Sequence, residues 1–529
     1  MNIFSKLCLL SSGVILLGLG ACKKSYLDRT PTTVVPLEDA FKTTKGCKAA
    51  LEGIHSLMYY TTDHDQFGQK SIDLINDMMG DDMPVSGQGA GWFLPYLSYA
   101  GPRSGSGYIW TYYYQFVNNC NELLAHIDKA DGPQADKDNI KGQTYFYLAY
   151  AYYNLSLYYQ HTYGADKTAL GVPLYHEVTQ EGNPRATLEQ VYAEITADLD
   201  KASDLLSGSS TRANLSEINI DVVNGLYARV ALVMQNWSLA AEKAAAARAN
   251  YPYMSAKQLM QGFNDWGNSA WIWGSYINEE QTGIYASFLS QMDVALGGYA
   301  AYGQQKLLNK SIYNYMAHDS ASSDGADIRR DWWYPRDQSP YKKFSQKKFT
   351  AKTVGSFSSD VCYMRAAEMG FIQIEALAQM GGSANIAQAK DLLNELMFIR
   401  NPKYNVDSVI AHTYYPNTST FTDQEKLLME IWYERRIELW GEGFRYSDLQ
   451  RCGGFVSGSP GAVAAQGHLQ LSERSSQIIY FQGLHRENSG GEQSLYGTAI
   501  TYTEALDNRF LFRIPVSEID YNPKMVQNP

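Results

Sequence analysis

The sequence lacks an apolar run long enough to form a transmembrane helix. Its strongest candidate spans only residues 7–19, whereas a helix needs roughly 20 residues to cross a bilayer. Lys6 precedes this run, and two small residues follow it directly before Cys22. A basic residue, a short apolar core and then small residues are typical of a secretory signal. We therefore expect residues 1–21 to be removed on export, which leaves Cys22 as the first residue of the mature chain.

Closely spaced cysteines are also lacking. Cys8 lies within the predicted signal, and the others are scattered without a CxxC spacing at Cys47, Cys120, Cys362 and Cys452. This distribution excludes a cysteine metal site and a dense disulfide framework. We expect most of these four to be buried free thiols, which behave as small apolar groups. Up to two disulfides remain compatible with an exported protein.

The chain has no excess of positive charge. Its 44 Lys and Arg residues against 55 Asp and Glu residues give a formal net charge of −11. The densest basic segment, KKFSQKK at 342–348, is short and typical of a solvated surface. Because nucleic-acid binding needs clustered positive charge, we expect no nucleic-acid partner.

Nucleotide-binding and nucleophile motifs are absent as well. The sequence contains no GxSxG elbow, Walker loop or GxGxxG turn, and HEVTQ at 176–180 lacks the second histidine of a zinc helix. Two acidic clusters, TTDHDQF at 61–67 and NDMMGDDM at 76–83, lack the regular spacing of a calcium loop. We expect solvated or capping carboxylates there and no cofactor, with a calcium site as the alternative.

Aromatic residues, by contrast, are abundant, with 40 Tyr, 19 Phe and 10 Trp. A tyrosine ring presents an apolar face and a polar hydroxyl, so it suits surfaces that hold polar ligands with flat apolar faces. Carbohydrates have such faces. The composition therefore agrees with a carbohydrate-binding surface, and equally with a large aromatic core.

Hydrophobic periodicity predicts a mostly α-helical fold in which helices come in pairs. The clearest helix follows Thr187, which forms a capping-box pattern with Gln190. Two pairs are predicted over residues 224–250, joined near 235–237, and over residues 365–400, joined by two glycines. Earlier helices are predicted near residues 108–127 and 142–160. The pairs resemble tetratricopeptide hairpins, which bury their apolar faces by stacking on one another.

The segment YERRIELWGEGFRYSDLQR at 433–451 suggests catalysis at first. Glu438 and Glu442 are four residues apart, which would place them on one helical face, and paired carboxylates are what a glycosidase needs. Arg435, Arg445 and Arg451 recur at helical steps, however, so opposite charges can pair along the helix. Pairing lowers the pKa of a carboxylate, whereas a general acid needs a raised one. We expect structural ion pairs here.

This same segment resembles the signature of the SusD/RagB outer-membrane lipoproteins of Bacteroidetes, in which E-R-R-x-E-L, E-G-x-R and D-L-x-R recur. The ending FLFRIPVSEIDYNPKMVQNP and the segment YMRAAEMGFIQIEALAQMGG at 363–382 resemble the same family in order and position. LGAC at 19–22 resembles a bacterial lipobox. One departure is that Lys23 and Lys24 follow the cysteine, where surface-exposed lipoproteins of these bacteria often carry acidic residues.

The resemblance implies a mostly α-helical SusD-like fold, in which four tetratricopeptide-like helix pairs support an irregular, loop-rich ligand-binding half. It divides the mature chain into a lipidated flexible tether at 22–36, an N-terminal SusD-like helical region at 37–250 and a C-terminal RagB/SusD region at 251–529. The last of these would complete the same globular domain.

The resemblance also implies a function. Family members are not enzymes; they bind glycans, or oligopeptides in the RagB branch, and act as a lid on a SusC-like TonB-dependent transporter. Cys22 would be the lipid anchor in the outer membrane, and the protein would face the cell surface. The alternatives are an oligopeptide-binding uptake protein, a surface glycosidase and a helical scaffold that binds only protein.

A sugar-binding site needs exposed aromatic faces flanked by hydrogen-bonding side chains, and we expect these in loops such as residues 252–361. The predicted glycan-binding residues lie in three aromatic-rich segments, and we favour Trp92 and the group from Trp332 to Tyr334. The full set is Trp92, Tyr96, Tyr99, Trp271, Trp273, Arg330, Asp331, Trp332, Trp333 and Tyr334.

Overall fold

The computed structural model describes residues 40–529, apart from 81, 88, 98–106, 209–211, 310–311, 314, 317–326, 412–419, 469–505 and 507. The predicted signal peptide, Cys22, the tether and Tyr99 lie outside the described residues. Within the described part, no helix combines the length and apolar character that a membrane span requires.

The described chain is mostly α-helical, as predicted. In chain order the helices are α1 (Thr44–Ser56), α2 (Gln69–Met79), α3 (Leu94–Leu97), α4 (Tyr108–Ile127), α5 (Gln134–Tyr159), α6 (Leu188–Leu206), α7 (Ile220–Val233), α8 (Trp237–Arg248), α9 (Ala256–Leu259), α10 (Phe288–Met292), α11 (Ala366–Met380), α12 (Ser383–Phe398), α13 (Val406–Ala411), α14 (Asp423–Glu438), α15 (Arg445–Gly453), α16 (Pro460–His468) and α17 (Val516–Tyr521).

The strands are few and short. β1 (Thr61–Asp63) pairs with β2 (Gln66–Phe67), β3 (Leu170–Pro173) with β4 (Arg185–Thr187), and β5 (Trp271–Ser275) with β6 (Val361–Arg365). All three pairs are antiparallel. In the third pair Trp271 lies opposite Arg365, which ties the loop-rich segment to the start of α11.

The helices pack in sequence, and the predicted pairs are present. Helix α4 packs on α5 and α5 on α6, while α7 packs on α8, α8 on α11, and α11 on α12. The turn between α7 and α8 contains Gln235 at a φ of 60°, and Gly381 and Gly382 join α11 to α12 at φ values of 66° and 77°. That these pairs are tetratricopeptide repeats stays a prediction.

Local sequence explains where these helices begin and how closely they approach. The Thr187 hydroxyl accepts a hydrogen bond from the Gln190 N–H at 3.2 Å, and the Gln190 side chain accepts one from the Thr187 N–H at 2.9 Å. This capping box satisfies backbone groups that would otherwise lack partners at the start of α6. In α7, a Cβ at Gly225 would lie 2.1 Å from the Met364 sulfur, so glycine permits the contact between α7 and β6.

The four cysteines of the described chain are free thiols, as expected for most of them. Cys47, Cys120 and Cys452 are buried and Cys362 is partly exposed. Burial raises the pKa of the Cys362 thiol and of the Cys452 thiol to about 12, so both are protonated at neutral pH. They act as small core side chains.

Candidate ligand-binding surface

Four aromatic side chains from three separate segments meet at the protein surface. We call His64, Trp92, Tyr285 and Tyr299 the aromatic platform. The His64 and Trp92 rings are stacked, with centroids 4.9 Å apart and planes inclined by 3°. The centroids of the Tyr285 and Tyr299 rings lie 6.0 and 5.7 Å from the centroid of the His64 ring. Tyr285 is 58% exposed, and the other three rings are half-buried, so the platform is open to a ligand.

The segment around Trp92 is shaped by glycine. Gly89 and Gly91 adopt φ values of 50° and 86°, which cost glycine little because it has no Cβ. The Gln304 amide donates a hydrogen bond to the Trp92 carbonyl at 2.8 Å and so holds this segment against the chain that follows Tyr299. This hydrogen bond restrains the backbone from which the indole ring projects.

His64 is fixed from the other side. It lies in the turn between β1 and β2, where its backbone N–H bonds the Asp63 carboxylate at 2.7 Å. Its Nδ1 forms a hydrogen bond with the Tyr299 hydroxyl at 2.5 Å. By contrast, the Trp92 indole N–H has no acceptor within the described part of the chain. That indole N–H is buried, so the platform offers a ligand its ring faces and, at the exposed Tyr285, a phenolic hydroxyl that can both donate and accept hydrogen bonds.

A buried lysine contacts Gln304, the residue that holds the Trp92 segment. The Lys306 ammonium donates to the Gln291 side chain at 3.1 Å and contacts the Gln304 side-chain oxygen at 3.4 Å. Burial lowers the pKa of Lys306 to about 7, because the charged form loses its hydration. Gln304 therefore links a buried cation to the Trp92 segment.

The structure corrects the prediction for four tryptophans. Trp271 and Trp273 lie in β5 rather than in a loop, and they are 1% and 0% exposed. Trp332 and Trp333 are likewise 1% and 0% exposed. A ring whose two faces are covered by protein cannot stack on a sugar. These four side chains belong to the core, where the Trp332 indole donates to the Leu259 carbonyl at 2.8 Å.

The remaining predicted residues are dispersed. Tyr96 is only 7% exposed and stacks on Phe512. Tyr334 is half-buried and stacks on Tyr341, with centroids 4.2 Å apart.

Arg330 and Asp331 lie beside Tyr334 in sequence but away from the aromatic platform. Arg330 lies over the Tyr313 ring, and Asp331 is exposed. Among the described residues, no ring contact joins this group to the platform. Of the predicted residues that the structure describes, Trp92 alone belongs to the platform.

The sequence did not single out the other three platform residues as glycan ligands. His64 drew attention only as part of an acidic cluster, and Tyr285 and Tyr299 are two among 40 tyrosines. The one usable signal was the position of Tyr285 and Tyr299 in the glycine-containing loop region between residues 252 and 361. Their convergence depends on long-range contacts that periodicity does not reveal.

The paired carboxylates are structural. Helix α14 ends at Glu438, and Gly441 and Gly443 turn the chain with φ values of 81° and 87°, so Glu438 and Glu442 do not share a helical face. Glu438 accepts hydrogen bonds from Arg365 at 2.8 Å and from Arg400 at 2.6 Å.

Glu442 is held in the same way, by Arg365 at 2.7 Å and Lys348 at 2.6 Å. The ion pairs were expected along the helix, but these partners come from other elements of the fold.

The electrostatics of both carboxylates exclude general-acid chemistry. Burial disfavours their ionisation, but attraction to Arg400 and Arg365 outweighs it and holds the pKa of Glu438 well below its usual range. Burial is likewise outweighed at Glu442, where Arg365 and Lys348 lower the pKa to about 2. A glycosidase needs a carboxyl group that is protonated near neutral pH.

The second acidic cluster is also structural where it is described. Asp77 accepts hydrogen bonds from the backbone N–H groups of Gly443 and Arg445 at 3.0 and 3.1 Å, which anchors the start of α15. Asp82 pairs with Arg436 and, at 3.1 Å, with Arg445. Asp77 thus caps a helix, as expected, whereas Asp82 is a buried ion-pair partner rather than a solvated or capping carboxylate.

The fold resembles several solved structures. A SusD-like carbohydrate binding protein from Bacteroides vulgatus has 23% identity and a TM-score of 0.71, with 91% of this chain and 97% of that chain covered. A SusD superfamily protein from Bacteroides thetaiotaomicron has 21% identity and a TM-score of 0.70, with 92% and 100% covered. A laminarin binding SusD-like protein has 16% identity and a TM-score of 0.59, with 92% and 99% covered. These similarities show a shared fold.

Family-level sequence similarity covers both halves of the chain. None of the curated proteins matches the sequence. A family model described as starch-binding and associating with outer membrane matches residues 81–232. The model of the SusD family matches residues 247–529, which is more than half of the chain. The chain therefore belongs to the SusD family, and like the members of that family it is not an enzyme.

Proposed function

We propose that this protein binds glycans at the cell surface. The observation that carries the proposal is the aromatic platform of His64, Trp92, Tyr285 and Tyr299, whose rings form one accessible surface. A sugar ring stacks its C–H face on an aromatic ring and needs hydrogen-bond partners for its hydroxyl groups. The platform offers both, since the exposed Tyr285 carries a hydroxyl group beside the accessible ring faces.

The similar proteins support a glycan as the ligand. One neighbour with the same fold is a carbohydrate binding protein and another binds laminarin. The family model that matches residues 81–232 is described as starch-binding. A glycan is therefore favoured over an oligopeptide, which is the other ligand class that the SusD/RagB resemblance implies.

We further propose that the protein delivers its glycan to a SusC-like TonB-dependent transporter and acts as the lid of that transporter. Attachment through lipidated Cys22 and the tether at 22–36 would hold the protein at the outer membrane while leaving the lid free to move. The description of the matching family model, which includes association with the outer membrane, supports this location.

The ligand class is tested with purified protein on an array of oligosaccharides and polysaccharides. We expect retention on one or more glycans. A blank array together with peptides that co-purify with the native protein, identified by mass spectrometry, would assign the oligopeptide function instead.

The partner is tested by affinity purification of the full chain from native outer membranes. We expect a TonB-dependent transporter to co-purify. A transporter found with a chain that binds neither glycan nor peptide would identify a protein-binding scaffold.

A further inference from the structure

A groove separate from the aromatic platform runs along helix α4. Two adjoining surface cavities of about 370 and 420 Å³ share Thr111 and Gln115 as lining residues. Asn118 and Asn119 continue the lining toward the carboxyl end of the helix. From Thr111 to Asn119 the helix rises roughly 12 Å, which exceeds the width of one sugar ring.

The side chains that α4 exposes in the groove are polar but uncharged. Thr111, Gln115, Asn118 and Asn119 are exposed, and their side chains form no hydrogen bond with any described residue. Amide and hydroxyl side chains both donate and accept hydrogen bonds, so they match sugar hydroxyls, which do the same. These four side chains can therefore bind a chain of hydroxyl groups without rearranging existing contacts.

A merely solvated helix face would ordinarily carry charged residues. Helix α4 has none from residue 108 to residue 121, although 19% of the whole chain is charged. The exposed face of an amphipathic helix is usually rich in charged side chains, which keep it hydrated. The uncharged stretch of α4 coincides with the groove, which favours a binding surface.

Two tyrosine rings form part of the groove wall. Tyr114 and Tyr175 are half-buried, with centroids 5.8 Å apart and planes inclined by 81°. The Tyr114 hydroxyl donates to the Pro173 carbonyl at 2.8 Å, and the Tyr175 hydroxyl accepts from the Asn183 N–H at 3.2 Å. These bonds fix both rings beside the amide side chains.

The groove begins at the hairpin that carries the platform residue His64. Tyr60, Thr62 and Gln66 line its first cavity, and His64 lies between the last two in sequence. Tyr60 is 62% exposed. The hairpin is therefore shared by the aromatic platform and by the groove.

The charges around the groove specify the kind of glycan. Glu177 and Glu518 line the second cavity, and among the residues that the structure describes no Lys, Arg or His lines either cavity. Carboxylates without neighbouring cations disfavour a polymer of uronic acids, because like charges repel. A neutral glycan meets no such penalty.

We propose that the groove along α4 is a second glycan subsite, which holds the continuation of a neutral polysaccharide whose other part stacks on the aromatic platform. This inference rests on the proposed glycan-binding function. Two subsites on one chain act by effective concentration, so they raise the affinity for long ligands without changing the affinity for short ones.

The test compares a groove variant with a matched control. In Gln115→Ala/Asn119→Ala, two exposed α4 side chains that bond no described residue are removed; in Gln388→Ala/Glu395→Ala, two exposed α12 side chains are removed. The purified full chain is first screened by affinity electrophoresis on starch, laminarin, xylan, mannan and polygalacturonate. Calorimetry then follows an oligosaccharide series, from two to about eight units, of the glycan that retains the protein.

We expect retention on a neutral polysaccharide and not on polygalacturonate. The α4 variant should bind the longest oligosaccharide roughly three- to tenfold more weakly than the wild type and bind the disaccharide equally well. The α12 control should match the wild type at every length.

Three outcomes would contradict the proposal that the groove along α4 binds a neutral glycan. If the α4 variant binds every length like the wild type while Trp92→Ala loses binding, the platform stands and the groove does not. If the α4 variant loses only its association with a transporter, the groove is a protein interface. If only polygalacturonate retains the wild type, the proposed groove for a neutral glycan fails while the glycan-binding function stands.

Discussion

Trp92 differs from the buried tryptophans of the core because one part of its ring system remains accessible on the platform. We predict that Trp92→Ala weakens glycan binding by several-fold to about tenfold, since stacking on one aromatic ring contributes about 1 kcal/mol. Calorimetry with the best glycan of the array measures the change.

Trp266→Ala is the matched control for Trp92→Ala. Trp266 is also half-buried, but it packs on Tyr276 and has no ring contact with the platform among the described residues. We expect the Trp266 variant to bind like the wild type. Equal losses in both variants would indicate a general disturbance of the fold and would remove Trp92 from the binding site.

Glu438 shows how a carboxylate can be indispensable without being catalytic. It is fully buried and lies against Arg365, Arg400 and Arg329. We predict that Glu438→Gln lowers the free energy of unfolding by roughly 3 kcal/mol or more, because it removes the carboxylate with which the buried Arg400 pairs and one of those that face Arg365 and Arg329. Urea unfolding measures this loss.

The exposed Glu395→Gln in α12 serves as the control and should change the free energy of unfolding by less than about 0.5 kcal/mol. Neither the wild type nor the Glu438→Gln variant should release reducing sugar from a bound glycan. Sugar release by the wild type that disappears in Glu438→Gln would restore the glycosidase hypothesis.

At the level of elements, helix caps are the clearest case of sequence dictating structure. Thr187→Ala removes the oxygen that accepts the Gln190 N–H, so we predict a loss of about 1 kcal/mol in the free energy of unfolding. Thr187→Ser keeps the oxygen and should retain most of the stability. If both variants unfold like the wild type, the capping box contributes nothing measurable to this fold.

The sequence was sufficient for elements that local rules determine. The capping box of α6, the two glycines between α11 and α12, and the alternation of helices and loops were all predicted, because propensity and periodicity act over a few residues.

The end of α14 was predicted wrongly, since the helical charge pattern continues to Arg451 while Gly441 and Gly443 break the helix. Because glycine disfavours the interior of a helix, these two glycines are the signal in the sequence that the helix ends before residue 441.

The binding surface was less predictable than the helices. Trp92 was recognised because its loop contains several glycines, but Trp332 was favoured equally, Trp271 was also a candidate, and both are buried. Sequence shows that a tryptophan is near glycine or asparagine; it does not show which segment will cover the ring. The convergence of His64, Trp92 and Tyr299 brings together three segments, of which the last is more than 200 residues from the other two.

For the whole molecule, attachment to the membrane depends on Cys22 in the proposed arrangement. We predict that Cys22→Ser abolishes incorporation of radiolabelled palmitate and moves the protein from the membrane fraction to the soluble fraction, because lipid chains provide the anchoring energy. Cys47→Ser is the control, because that thiol is buried in α1 and should leave labelling unchanged. Labelling that persists in Cys22→Ser would contradict the anchor.

Buried ion pairs join the two regions of the chain into what we predict to be one cooperative unit. Asp82 of the N-terminal region pairs with Arg436 and Arg445 of the C-terminal region, and Asp77 anchors α15. We expect tryptophan fluorescence and circular dichroism to report the same urea midpoint. Two separate transitions would show that residues 37–250 and 251–529 unfold independently.

The same buried ion pairs predict how stability depends on pH. The pKa of Glu442 falls from 4.5 to about 2 in the folded protein, so its stabilising contribution is present above pH 4.5 and is lost as pH falls toward 2. A shift of this size corresponds to on the order of 3 kcal/mol. Urea unfolding at a series of pH values should show this decline, and Glu442→Gln should be less stable at pH 7 but show a shallower decline. An equally steep decline in the variant would mean that other carboxylates cause the loss of stability in acid. Asp448, whose pKa is also lowered to about 2, would then be the next residue to replace.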